Sequence, residues 1–210
     1  MKKVNKKTLI LTSVITLIPI VIGLLLWSKL PDTIPTHFGM DGTPNGWSSK
    51  TFTVFGLPLF LLGIHLLCLG ATSQDPKYDN MNDKLFGIVL WICPVLSVLI
   101  MVTCYSYALG YEVNITKCVM VGIGILFMVI GNYLTKCKQN YTMGIKIPWT
   151  LDDEENLNHT NRFAGFLWMI GGVVVAINAF LGWDWLFLII IVIMVGVPTV
   201  YSYLYYKKHK

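Results

Sequence analysis

Residues 85–109 read LFGIVLWICPVLSVLIMVTCYSYAL, a run without a single Asp, Glu, Lys, Arg or His. About 20 such residues in an α-helix cross the roughly 30 Å hydrocarbon core of a bilayer. Working outward, comparable runs occupy residues 52–71 and 9–27 on one side, and 118–134, 163–181 and 185–205 on the other. Only 13% of the 210 residues are charged and the mean hydropathy is +0.64. Soluble domains carry about a quarter charged residues. The pattern predicts an all-α, polytopic membrane protein with about six transmembrane helices and no soluble domain. The first run follows Lys2, Lys3, Lys6 and Lys7, but it exceeds a secretory h-region and ends at Trp27-Ser28-Lys29 without a small-residue cleavage site. It is therefore expected to remain as the first helix.

Orientation follows from the basic residues. With a cytoplasmic N-terminus, 13 fall inside (Lys2, Lys3, Lys6, Lys7, Lys77, Lys84, Lys136, Lys138, Lys146, Arg162, Lys207, Lys208, Lys210) and 3 outside (Lys29, Lys50, Lys117). The positive-inside bias thus predicts both termini in the cytoplasm, and the net charge of +5 reports topology and anionic lipid, with no nucleic acid to be invoked. Cys68, Cys93, Cys104, Cys118 and Cys137 form no CxxC and read as small hydrophobes.

The loops are unequal. The outer loop SKLPDTIPTHFGMDGTPNGWSSKT, residues 28–51, places Pro31, Pro35, Gly42 and other turn formers every few positions, with Phe38 and Trp47 interleaved and Lys50 at its end. His37 and Asp41 flank Gly39 without a third ligand, so turn and surface roles are expected and no metal. The long inner connection GIKIPWTLDDEENLNHTNRFAG, residues 144–165, is polar between two apolar runs, where polar side chains are costly. Thr150 reads as the N-cap of a helix from Leu151, with Asp152, Asp153, Glu154 and Glu155 in its first turn. On it Asp152, Glu155 and His159 share a face. A capped, solvated helix start accounts for the acids, and a metal or acid–base site is the sharper alternative. Gly56, Gly63 and Gly70 recur every seven residues and read as a helix-packing stripe. His65 is the one ionisable residue deep in a span, without an acidic partner, so its replacement is expected to be tolerated. The Asn-x-Thr triplets at Asn114, Asn140 and Asn158 read as coincidental.

Two motifs carry a resemblance. The inner connection resembles the signature loop of SdpI-type immunity proteins, G-I-R-T-P-W-T-L followed by an acidic helix start and T-H-R. Here Lys146, Ile147, Leu157 and Asn161 stand where Arg, Thr, Trp and His are common. The outer loop LPDTIPTHFGMDGTPNGWSSK resembles a domain of unknown function that begins many members, and the short loop GYEVNI, residues 110–115, is similar too. The division expected is residues 1–72, a helical pair with the turn-rich loop, and residues 73–210, a four-helix region carrying the signature.

The resemblance implies a multi-pass bacterial cell-membrane protein, without cofactor or enzymatic activity, that confers resistance to a secreted peptide toxin. It further implies toxin engagement outside and capture of a small winged-helix repressor inside. The coupling loop would comprise Gly144, Lys146, Pro148, Trp149, Thr150, Asp152, Glu155, His159, Thr160 and Arg162. The rivals are a small transporter using His65, Asn132 and Asn178, and an interfacial enzyme built on Asp152, Glu155 and His159.

Overall fold

The computed structural model describes residues 5–39, 41–76, 83–111, 114–137 and 144–209. Lys2, Lys3, Lys77, Lys138, Lys210, two residues of GYEVNI and Asn140 lie outside them. In chain order the elements are α1 (Lys6–Leu25), β1 (Thr33–Phe38), β2 (Pro44–Ser49), α2 (Leu57–Ser73, entered through a π-helical turn, Phe52–Gly56), α3 (Asp83–Ala108), α4 (Ile115–Leu134), α5 (Pro148–Leu151), α6 (Glu154–Leu181) and α7 (Asp184–His209). All but the strands and α5 are long and apolar enough to span a membrane, six in all. This is a multi-pass membrane protein. The mostly helical class holds, with a two-stranded addition that the sequence reading took for a run of turns.

The chain forms two compact units, Lys3–Ser73 with Gly87–Thr116, and Gln74–Phe86 with Lys117–Lys210. The 1–72/73–210 division follows motif content and remains a proposal of a different kind.

In the first unit, hydrogen bonds tie three lipid-spanning helices together. Ser97 Oγ donates to Thr16 O at 2.8 Å, and Tyr105 OH to Pro19 O at 3.0 Å. Thr12 Oγ1 lies 3.1 Å from His65 Nε2. Hydrocarbon offers no competing water, so such groups must find partners within the bundle. His65, 1% exposed, thus has a polar partner on α1, and that partner is a hydroxyl rather than an acid. The hairpin closes one end of this unit. Its antiparallel pairing runs from Thr33↔Ser49 to Phe38↔Pro44 and is irregular on either side of His37. Ile34, fully buried, joins Leu30, Val54, Met101, Cys104 and Tyr105 in one apolar cluster, which explains why this loop is ordered.

The second unit is built on a glycine seam. A Cβ on Gly124 would lie 2.6 Å from Gly172 O, and one on Gly131 2.6 Å from Gly165 O. Both pairs are seven residues apart, so antiparallel α4 and α6 touch backbone to backbone along one stripe. The expected stripe on α2 is not such a seam. A Cβ at Gly63 or Gly70 meets no atom within 4 Å, and Gly56 is approached by Phe52 of its own helix. Sequence spacing alone could not tell which glycine stripe faces a neighbour.

Beside the seam, Pro198 lies within the continuous helix α7. Lacking an N–H, it leaves the carbonyl of Met194 without its usual helical donor, and Trp168 Nε1 donates to that oxygen at 3.1 Å. Val175, Ala179, Ile190 and Met194 pack around the contact. Gly182, at φ 70°, ends α6 as its C-cap, while Asn178 Nδ2 donates to Trp183 O. The seam gives a direct test. Gly131→Leu should cost about 1–3 kcal/mol or more through overpacking, read as a lowered thermal midpoint in detergent. Gly63→Leu should stay within roughly 0.5 kcal/mol. Equal losses would show that α2 packs as tightly as α4.

Candidate functional site: the folded inner connection

The connection that enters α6 folds into a specific structure. Gly144 has φ 111°, and a Cβ there would lie 2.8 Å from Asn161 Nδ2, so only glycine fits. Ile145 N donates to Asn161 Oδ1 at 2.8 Å. Thr150 Oγ1 accepts from Ile147 N and lies 3.0 Å from Ile145 O, which closes a turn around α5. The predicted start of the helix is corrected here. Ile147 caps the four-residue α5, the chain breaks at Asp152, and Asp153 is the N-cap of α6, accepting from Asn156 N at 3.0 Å. A proline at the first helical position and a second capping acid give two short starts in place of one. Glu154 and Glu155 remain in the first turn, where the dipole favours them.

A polar cluster fastens this connection to α7. Trp149 Nε1 donates to Ser202 Oγ at 3.0 Å, Ser202 Oγ to Asn156 Oδ1 at 3.0 Å, and Asn156 Nδ2 to Ser202 O at 3.1 Å. Thr160 Oγ1 adds a fourth bond to Asn156 Oδ1. Asn156, Thr160 and Ser202 are fully buried. Trp149 also packs its ring against Tyr203 and Tyr206, with centroids at 5.5 and 6.4 Å. Sequence reasoning chose Trp149 and Thr160 but missed Asn156, Asn161 and Ser202. The available signal was spacing: Asn156, Thr160 and Ala164 recur every four residues and continue the buried face of the span.

Glu155 and His159 meet on a separate flank. Tyr205 OH donates to Glu155 Oε1 at 2.8 Å, and Tyr205 stacks between His159 and His209 at 5.3 and 4.2 Å. Glu155 and His159 lie 3.8 Å apart. Asp152 does not join them, because it caps α5 and lies off the α6 helix. The three-residue face expected from the sequence is thus reduced to two. Among the described residues no group of three His, Cys, Asp or Glu side chains is placed to hold a metal. Arg162 is exposed on α6.

Lys146 is half-buried beside Asp75 and Cys137. Burial pushes its ammonium down to about 8, against partial support from Asp75 and Cys137. Asp75, only 7% exposed, comes from a loop that reads as ordinary in sequence. The Cys137 thiol is pushed up to about 11, again by burial.

In the β1–β2 hairpin, Pro35 pairs with Trp47, His37 Nδ1 contacts Asn45 Oδ1, and Asp41 accepts from Thr43 N at 3.0 Å. These bonds to Thr43 hold the Asp41 carboxyl below its ordinary range. Gly42 adopts φ 80°, Phe38 packs edge-on to Tyr107 at 5.5 Å, and Lys50 lies 3.3 Å from Asp32 and 5.3 Å over the Trp27 ring. Pro31 is exposed just before β1, and Trp47 is 59% exposed.

Comparison with known proteins bears on both regions. Residues 136–202 match the SdpI/YfhL protein family, and residues 14–62 a domain of unknown function, DUF1648. The chain is 29% identical over 206 residues to the immunity protein SdpI of Bacillus subtilis (strain 168), covering 95% of this chain and 96% of that protein. No solved structure matches.

Two tests follow from the geometry. Asn156→Ala strips the buried Ser202 and Thr160 groups of partners, at about 1–3 kcal/mol, and should speed amide hydrogen exchange across 145–161 while leaving α1 unchanged. For Lys146, the folded loop binds fewer protons than the unfolded chain between about pH 8 and the ordinary lysine value of 10.5, so its contribution to stability rises with pH through that window and is least favourable below it. NMR titration of the dimethylated lysine should give a midpoint near 8. Asp75→Asn should lower it further, and a midpoint above 10 would contradict the buried placement.

Proposed function

We propose that this chain belongs to the SdpI/YfhL family that its residues 136–202 match, and is a cell-membrane protein that protects its producer from a secreted antimicrobial peptide toxin. The similarity to an immunity protein along nearly the full length of both chains carries the reading. The reading is non-enzymatic, and Ser202, the buried hydroxyl of the cluster, is engaged by Trp149 and Asn156.

The finer reading is that the hairpin faces outward and engages toxin, while the inner connection faces the cytoplasm and signals by holding a small winged-helix repressor. Supporting it are two elaborated loops, residues 28–51 and 144–165, and the uneven spread of basic residues, which the positive-inside rule reads as both termini in the cytoplasm. In this arrangement Trp149, Pro148 and Thr150 aim the connection, Lys146 and Gly144 close its base, and Glu155, His159 and Arg162 form its accessible rim. Asp152 serves as the exit from α5.

Survival of a toxin-sensitive strain at matched expression tests the function. Trp149→Ala should abolish protection, because it removes the Ser202 bond and two aromatic contacts together. Asp152→Asn should leave protection intact. Loss from Asp152→Asn with normal membrane levels would point instead to acid–base or metal chemistry. Cysteine labels test the orientation: Asn45→Cys should react in intact cells and Glu154→Cys only after permeabilisation. The opposite pattern would overturn the two-sided arrangement.

A further inference from the structure

One feature of the second unit is used by neither the inner cluster nor the hairpin. A groove of about 460 Å³ runs along α7 beside Phe163 of α6, floored by Gly196 and walled by Ile193, Val197, Val200 and Leu204. That volume falls within the roughly 300–1,000 Å³ of small-molecule sites. Its walls are open to the surroundings, with Val200 58% and Leu204 59% exposed, and a Cβ on Gly196 would meet no atom within 4 Å. Because α7 is a candidate span, the medium against the groove is hydrocarbon. The groove does not end in hydrocarbon, however. Ile193, Val200 and Lys207 are spaced by seven, so its wall continues directly to an exposed lysine, with Lys208 beside it in the last turn. Two acids lie near that level on the α6 side of the helix, Glu155, which accepts the Tyr205 hydroxyl, and Asp153.

We propose that this groove is a binding site for an anionic phospholipid, one acyl chain lying over Gly196 and the headgroup phosphate held by Lys207 and Lys208. The chemistry is complementary at both ends. An apolar trough takes the chain, and two exposed ammonium groups at its mouth attract the phosphate. A zwitterionic lipid fits the trough equally well but gains less from the lysines, so the site selects by headgroup charge. This proposal does not rest on the immunity reading.

The test uses the full chain reconstituted in phosphatidylcholine vesicles containing a trace of photoactivatable phosphatidylglycerol, with its diazirine on the acyl chain. The matched phosphatidylcholine probe serves as comparison. Wild-type protein should be labelled within 192–204 on the order of tenfold more by the anionic probe, as expected for two cations near a headgroup. Lys207→Gln with Lys208→Gln should reduce that preference to parity while acyl labelling persists. Gly196→Leu, which fills open space, should abolish labelling of the segment by both probes. The lysine pair lies at exposed positions, so its arm remains informative even if the glycine variant folds poorly. Equal labelling of the wild type by both probes overturns the proposal, as does labelling indifferent to Gly196→Leu. Cross-links between 192–204 of two copies of the chain would assign the groove to self-association instead.

Discussion

The arrangement of the connection between α4 and α6 depends on one reciprocal pair of hydrogen bonds, in which Asn156 and Ser202 each serve the other as donor and acceptor. Both residues lie where water is excluded, so neither can exchange its partner cheaply. The pair fixes the entry of α6 against the end of α7. Trp149 then binds to the same serine, and through it the α5 turn is set. Carboxamide and hydroxyl therefore hold the entry of this polar connection in place. That choice is consistent with a buried site near a membrane, where an unpaired ion costs far more than a satisfied amide.

The same rule operates inside the spans with different means. Proline at 198 creates an acceptor that Trp168 satisfies, and hydroxyls of Ser97 and Tyr105 reach carbonyls of α1. Where side chains are absent, as at Gly124, Gly131, Gly165 and Gly172, backbones approach instead. Both units thus use hydrogen bonds between helices, and the second adds close backbone contact along its glycines. The sheet hairpin adds a third, burial of Ile34 among residues from helix ends.

Much of this was legible in the sequence, and what was missed has physical causes. The six spans were plain because apolar runs of that length have no other stable home. The capping acids were legible as a class, but the choice between Thr150 and Asp153 turned on a break at Asp152 that no local preference dictates. The hairpin was hidden because Pro35, Gly39, Gly42 and Gly46 signal turns more strongly than Thr33, Ile34 and Trp47 signal strands. The α2 glycine stripe and the α4–α6 seam have the same spacing, and only tertiary contact separates them. Asn156 and Ser202 were invisible as partners because they stand 46 positions apart.

The length of α6 has a mechanical consequence. Its 28 residues form one uninterrupted rod of about 42 Å, longer than the roughly 30 Å hydrocarbon layer. Its polar first turns therefore stand clear of the lipid while the far end is capped by Gly182. A lean of only about 10° displaces one tip by about 7 Å relative to the other. The rod is pinned to its neighbour at the Asn156 end and pressed against α4 along the glycines. Held at one end and along its length, the rod sets its polar first turns and the buried glycine contact in one fixed geometry.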